Sequence, residues 1–311
     1  MTRARILQYL RQASGLLFFA ALALIAAPAI AQNGDPVEVE ARVEVIGIQS
    51  DIMIEDGDEF DSSGYGIRGD LALDWSLSPR TTARIEVDAG VFDYEGLNRD
   101  TLTSYGVSAS VEHEVSETVT VRLRARRIEN IAVLEAFSAD QTSIAARVEW
   151  SKGNDRVRVE ADYRHREYDT TRAGTGEGYR VAAEYNRRFG PYHWLRFDAR
   201  VEEMTSDDEE RRSYDRRVLR VKYSHPVTRK LRVRPSIEYR EWDYDGRIAR
   251  GDPDGALRED SYVAPAVDLS YGHWNRGPYA RASAEYRFRY SNDSRYDMDG
   301  ARFGLVVGYR F

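Results

Sequence analysis

The chain has 311 residues, no cysteine, 31% charged residues and a formal net charge of −7. Disulfides and thiolate metal sites are therefore excluded, and so acidic a chain is a poor binder of nucleic acid, whose phosphates call for a basic surface. After the first thirty or so residues no apolar run approaches the roughly 20 residues that a transmembrane helix needs.

The amino-terminal segment reads as an export address. Arg3, Arg5 and Arg11 precede an apolar run from Gly15 to about Ala27, Pro28 breaks it, and Ala29-Ile30-Ala31 supplies the small-x-small pattern of a cleavage site. Residues 1–31 are expected to be a signal peptide and residues 32–311 one mature domain; losing the three signal arginines takes the net charge from −7 to −10. An uncleaved membrane anchor is the competing reading, and the absence of cysteine near the cut speaks against lipidation.

Period two dominates the mature chain. In Arg156-Val157-Arg158-Val159-Glu160-Ala161-Asp162-Tyr163-Arg164 one parity is charged and the other apolar, which in a strand makes one polar and one apolar wall. The same alternation predicts strands near 37–47, 65–77, 80–92, 102–115, 118–128, 141–151, 155–167, 178–189, 192–204, 214–225, 230–243, 261–274, 278–290 and 301–311. Most have ten or more residues, longer than the about five to six of soluble strands and close to the about nine to eleven of tilted membrane strands. Short connections such as Ser78-Pro79, Lys152-Gly153-Asn154 and Gly190-Pro191 alternate with long ones, of which 48–64 and 244–260 are the longest. Such alternation suits a barrel with short turns on one rim and loops on the other. The expected fold is all-β: a closed antiparallel transmembrane barrel of about fourteen strands in an up-and-down meander.

Alternation alone does not say which wall faces out, since a soluble sandwich buries its apolar side. Aromatic residues at strand ends favour the membrane arrangement, because indole and phenol rings prefer the membrane–water boundary. Trp75, Trp150, Trp194 and Trp274 lie beside short turns; Tyr94, Tyr105, Tyr168, Tyr179, Tyr239, Tyr262 and Tyr290 would form the opposite girdle. The chain closes on Phe303-Gly304-Leu305-Val306-Val307-Gly308-Tyr309-Arg310-Phe311. An apolar alternating last strand ending in Phe resembles the assembly signal of bacterial outer-membrane β-barrels. The last hairpin, Ser291 to Asp299 with the strand to Phe311, resembles that of the surface lipoprotein assembly modifier family and of porin-like barrels of exopolysaccharide loci. The helical-repeat domain that the assembly modifiers carry before the barrel has no counterpart in this sequence, so the resemblance implies the fold. It also implies outer-membrane lipid, lipopolysaccharide and the barrel assembly machinery as partners, with periplasmic export proteins as further candidates, and both termini in the periplasm.

With the apolar parity outward, the charged parity lines the lumen. It carries Arg84, Arg122, Arg124, Arg126, Arg156, Arg158, Arg164, Arg196, Arg200, Arg232, Arg234, Arg281, Arg287 and Arg289, opposed by Glu86, Glu160, Asp162, Asp198 and Glu285 among others. Neighbouring strands should pair many of these charges. An arginine-lined lumen would favour anionic solutes; a salt-bridged, water-filled wall without a chosen solute is the simpler reading. The acidic loops around Asp51–Asp61 and Asp207–Glu210 hold only a fragment of a calcium-loop pattern in Asp56-Gly57-Asp58, and no metal or cofactor is expected. His113, His165, His193, His225 and His273 mark no catalytic triad spacing, so no enzyme is expected. The function that results is a porin-like channel for small polar or anionic solutes; an export or assembly barrel and a structural barrel with a closed lumen are the alternatives.

Overall fold

The computed structural model describes residues 37–51, 54–56, 59–94, 102–134, 137–170, 173–207, 213–252, 254–272 and 276–311; the expected signal peptide, Trp274 and His273 lie outside them. Among the described residues sixteen strands follow one another: β1 (Val37–Ser50), β2 (Ile54–Asp56), β3 (Glu59–Asp61), β4 (Gly64–Ser78), β5 (Thr81–Tyr94), β6 (Leu102–Ser116), β7 (Val119–Leu134), β8 (Phe137–Lys152), β9 (Asp155–Thr170), β10 (Ala173–Gly190), β11 (His193–Ser206), β12 (Tyr214–Pro226), β13 (Leu231–Ile248), β14 (Leu257–Gly272), β15 (Gly277–Ser291) and β16 (Gly300–Arg310). Fourteen of them form a closed antiparallel barrel in chain order, while β2 and β3 make a small hairpin inside the first long connection.

Closure is made by β1, which pairs with β4 on one side and with β16 on the other, Val45 standing opposite Val307 and Arg42 opposite Arg310. A rolled sheet leaves no edge with unpaired N–H and C=O groups. The tight turns have the chemistry such hairpins need: Gly153 takes a φ of +61° between β8 and β9, the left-handed region where a Cβ is penalised.

Each predicted strand is present, but several run further than the alternation does. β7 and β8 extend to Leu134 and from Phe137, and β9 and β10 to Thr170 and from Ala173, so connections expected at 129–140 and 168–177 shrink to two residues each. The extensions, 129–134, 137–140, 168–170 and 173–177, carry no charged/apolar alternation, and in β7 the bulge after Ile128 shifts the parity count, so the period-two pattern stops before the strands do. A bulge follows Ile128, where Asn130 takes a φ of +58° and its N–H donates to Asp140 Oδ1 at 3.1 Å.

Apolar side chains of the outward parity stand uncovered around the wall: Leu123 is 60% exposed, Ile144 62% and Val307 51%. The buried residues of the strands lie almost all on the other parity, and many are charged, among them Arg164, Arg166, Glu202, Arg216, Arg258 and Asp260. The molecule is inside out relative to a soluble β-sandwich.

Candidate functional site: the charged interior

Ion pairs identify the inner face. Adjacent strands are about 4.8 Å apart, so side chains two strands apart meet only where a curved sheet turns them towards one another. Arg126 reaches Asp88 at 2.8 Å across β6, Arg164 reaches Glu202 at 3.1 Å across β10, and Lys222 reaches Asp268 at 2.8 Å across β13. Arg84 reaches Glu40 at 3.0 Å across β4, and Arg124 reaches Glu160 at 3.4 Å across β8. Where each bridge passes, the intervening strand carries a small residue: Gly106 and Ser108, Gly178, Ser236, Ala72 and Ala145 respectively. Tyr279 likewise donates to Glu44 at 2.6 Å over Gly308, where an added Cβ would lie 2.6 Å from the tyrosine ring.

The two signs are not evenly spread around this face. Among the described residues, β1 and β4–β6 carry the inward carboxylates Glu38, Glu40, Glu44, Asp70, Asp74, Glu86, Asp88, Glu112 and Glu114 but just three inward arginines of their own, Arg42, Arg68 and Arg84, with Arg122 and Arg126 reaching in from β7. On β7–β13 arginines prevail, and single carboxylates are shared among several of them. Glu160 lies 2.6 Å from Arg147, 3.4 Å from Arg124 and 3.9 Å from Arg180; Glu184 lies 2.8 Å from Arg156, 3.3 Å from Arg196 and 3.9 Å from Arg158. The interior thus has an acidic arc facing a longer basic one.

Towards the long-loop end the β9–β15 wall is packed solid. Met204, Tyr214, Trp242, Tyr244, Tyr262 and Ala264 form a buried cluster interleaved with guanidinium groups: Arg240 lies 5.2 Å from the centroids of both Trp242 and Tyr262, and Arg287 4.7 Å from that of Tyr262. Glu202 accepts from Tyr214 Oη at 2.8 Å and from Arg216 Nη2 at 2.8 Å, and Asp260 pairs with Arg258 and with Arg289 at 2.8 Å.

Two connections fold over this layer. Asp293, fully buried, accepts from the N–H groups of Arg250 and Arg295, each at 3.1 Å, and from the Arg295 side chain at 2.9 and 2.5 Å. Tyr296 beside it lies beneath Arg258, whose guanidinium is 3.4 Å from the ring centroid, and accepts from Arg247 at 3.2 Å. The Arg295 guanidinium, helped by the two N–H groups, holds the Asp293 carboxyl well below the usual carboxylate range against the opposing effect of burial. A depressed native pKa gives stability that is complete above the unfolded carboxylate value and is lost as pH falls through the native one. The latch therefore holds at neutral pH and loosens only in strong acid. Asp293→Asn is expected to let trypsin cut at Arg250 and Arg295 several-fold faster at pH 8; an unchanged cleavage rate would contradict the latch.

Most of the residues expected in the lumen have partners on this face. Arg84 also meets Asp74 at 2.7 Å and Glu86 at 3.5 Å, Arg122 meets Glu112 at 2.5 Å, Arg158 meets Glu149, and Asp162 meets Arg180 at 2.6 Å. Arg287 meets Glu285 at 2.5 Å, and Arg232 lies 3.9 Å over the Tyr192 ring. Arg234 stands opposite Asp268, Arg281 opposite Ser270, and Asp198 between Glu184 and Arg220; Arg200 stands between Ala182 and Val218.

The aromatic expectations divide. Trp75, Trp150, Tyr105, Tyr179, Tyr239 and Tyr290 share the outward parity, and the Phe311 ring packs tilted against Tyr309 with centroids 4.7 Å apart. Trp194 does not join them: it shares the parity of Arg196, whose guanidinium lies 5.0 Å from its ring, because an even residue at the start of β11 points where Arg196 and Asp198 do. Tyr168 and Tyr262, expected in a girdle, are buried inside for the same reason of parity, and Tyr94, at the end of β5, falls on the inward parity of Glu86 and Asp88. Among the described residues His113 meets Thr81, His165 meets Glu167 and Glu177, and His193 meets Tyr223; none of these contacts lines up hydroxyl, imidazole and carboxylate.

The fold is that of bacterial outer-membrane β-barrels. The chain is similar to the outer-membrane channel DcaP of Acinetobacter baumannii, with a TM-score of 0.52, 11% identity and coverage of 88% of this chain and 97% of that one. It is also similar to in-vitro folded OmpT, an outer-membrane protein of Vibrio cholerae, with a TM-score of 0.50, 10% identity and coverage of 90% and 99%. No family model matches the sequence, and no curated protein matches it. At such identities it is the architecture that is shared.

Proposed function

We propose that the chain spans the bacterial outer membrane and acts as a porin-like channel for small polar solutes, with a preference for anions. One observation carries this reading: a closed sheet with uncovered apolar side chains outside and opposed arcs of carboxylates and arginines inside. Backbone groups in hydrocarbon must all be paired, which a closed barrel achieves, and a charged wall in a narrow passage selects solutes by sign. Lipid and lipopolysaccharide cover the outer face, the short turns and both ends of the chain lie in the periplasm, and β16 is the strand offered to the barrel assembly machinery. The reading gives the protein no catalytic role.

The test is conductance. Purified protein added to a planar bilayer should give discrete current steps, with a reversal potential in a KCl gradient that indicates preference for chloride. Complete absence of steps would overturn the channel and favour a structural barrel with a closed lumen, a reading supported by the packed Trp242–Tyr262 layer and the latched loops at one end.

A further inference from the structure

The short-turn end of the barrel is basic over β10–β15. The hairpin ends there, residues 187–193, 226–231 and 272–278, hold Arg187, Arg188, Arg229, Lys230 and Arg276 and no carboxylate. Arg187 pairs with Asp155 at 3.3 Å; among the described residues no carboxylate pairs with the other four. Just inside this rim the inward face of β13–β15 carries Arg232, Arg234 and Arg281 and one carboxylate, Asp268, which Lys222 also reaches at 2.8 Å. We propose that this mouth binds a phosphate group, free or esterified to a small solute, at a site centred on Ser270, Arg234 and Arg281. The inference deepens the channel reading by naming a solute class, and rests on that reading only for passage onward.

The surroundings do not cancel the excess of cations. In the row above, Glu238 pairs with Arg220 and Arg240, and Glu285 pairs with Arg287. On the flanks β16 adds Arg310 opposite Arg42, and β11 adds Asp198 opposite Arg220 together with Arg196. Each widening of the boundary brings at least as many cations as carboxylates.

Within this basic mouth Ser270 stands in register between Arg232 on β13 and Arg281 on β15. Its Oγ is buried and makes no hydrogen bond among the described residues, a state that costs stability until an acceptor arrives. Arg281 is exposed on the inner face and meets no carboxylate there. Arg234 is 9% exposed, and the charges acting on it are those of Asp268, Arg232, Arg281 and Arg196. Arg234 and Arg281 thus flank β14 within electrostatic reach of one another, with the hydroxyl between them. Arg232 closes the rim side, its guanidinium 3.9 Å over the Tyr192 ring.

Donors on three neighbouring strands therefore surround the space over Ser270. A planar carboxylate is served by a single guanidinium fork, and chloride carries one charge. A phosphate group offers acceptor oxygens on several sides and close to two negative charges at neutral pH. Parity excludes a lipid headgroup, since Ser270 faces the lumen while its neighbours Leu269 and Tyr271 stand exposed on the outer wall. The carboxylate-free hairpin ends draw anions towards the mouth.

The experiment is calorimetric titration of the intact protein in a maltoside detergent, in low-salt buffer, with inorganic phosphate, glycerol 3-phosphate and acetate. One phosphate per barrel is expected, at least tenfold tighter than acetate, with glycerol 3-phosphate binding alike. Arg281→Gln, which breaks no ion pair, should weaken phosphate at least tenfold, and Ser270→Ala about fivefold, the loss of one hydrogen bond. Arg80→Gln, at the β4–β5 turn on the opposite side of the rim, should change it little. Acetate binding as tightly as phosphate would overturn the phosphate assignment, and exclusion of glycerol 3-phosphate would overturn its extension to esters. Unaltered binding in both Arg281→Gln and Ser270→Ala would overturn the site and leave a diffuse field. In vesicles, weaker phosphate binding with phosphatidylglycerol than with phosphatidylcholine, at a salt concentration that screens the surface, would make a lipid headgroup the occupant and overturn the luminal placement. Absence of conductance with phosphate binding intact would remove the channel reading and leave the site standing; conductance without phosphate binding would remove the site alone.

Discussion

Replacing Glu202 by glutamine should destabilise the folded barrel by about 3–5 kcal/mol, the cost of removing one partner from a buried ion pair. The Glu202 side chain has no solvent exposure, Arg216 is 1% and Arg164 3% exposed, and Tyr214 donates to the same carboxylate. Neutralising the acid takes from Arg216 and Arg164, both buried in a packed layer, the carboxylate they share, although Arg164 keeps Asp162 at 3.4 Å. Urea titration of wild type and variant, reconstituted in the same vesicles, measures the difference. Arg217→Gln is the control: its pair with Glu241 lies on the outward side, with Arg217 57% exposed, and exposed pairs contribute only about 0–1 kcal/mol. A Glu202 variant no weaker than this control would mean that the layer is open to water.

Val159→Arg should cost about 2–4 kcal/mol in a bilayer, as cations on the lipid face of barrels do near the membrane midplane. Val159 is 46% exposed, on the outward parity between Arg158 and Glu160. The prediction is discriminating because exposure alone argues the opposite way: in water an exposed Val→Arg change usually lies within about 0.5 kcal/mol of neutral. Measured in vesicles the penalty should be large; a neutral result there would place this face in water.

Much of this architecture is written in the parity of the residues. Arg156 to Arg164 names both faces of β9 without further help, and the turn residues around Gly153 mark where the chain reverses. What parity does not give is depth. The inner positions Trp242, Tyr262 and Tyr168 follow the same count as Arg240, Asp260 and Arg164, yet an aromatic side chain suggests a girdle as readily as a packed interior, and only the loops above them settle which. Nor does a strand announce the partners two strands away. Gly106, Ala145, Gly178 and Gly308 read as weak points in their strands, although each is where an ion pair or a tyrosine passes over a neighbour. The division into acidic and basic arcs is present in the sequence as a difference between β4–β6 and β7–β13, but it acquires meaning only once the sheet is closed and the arcs face each other.

The most direct measurement uses the absence of cysteine from the chain. Single cysteines placed in turn at Val107, Ser108, Ala109, Ser110 and Val111 of β6, in protein reconstituted into vesicles, are offered a small water-soluble thiol reagent. Labelling is predicted at 108 and 110, whose side chains face the interior alongside Arg126 and Arg124, and protection at 107, 109 and 111. Labelling of the opposite set, or of all five alike, would contradict an apolar wall against lipid and a charged one around water.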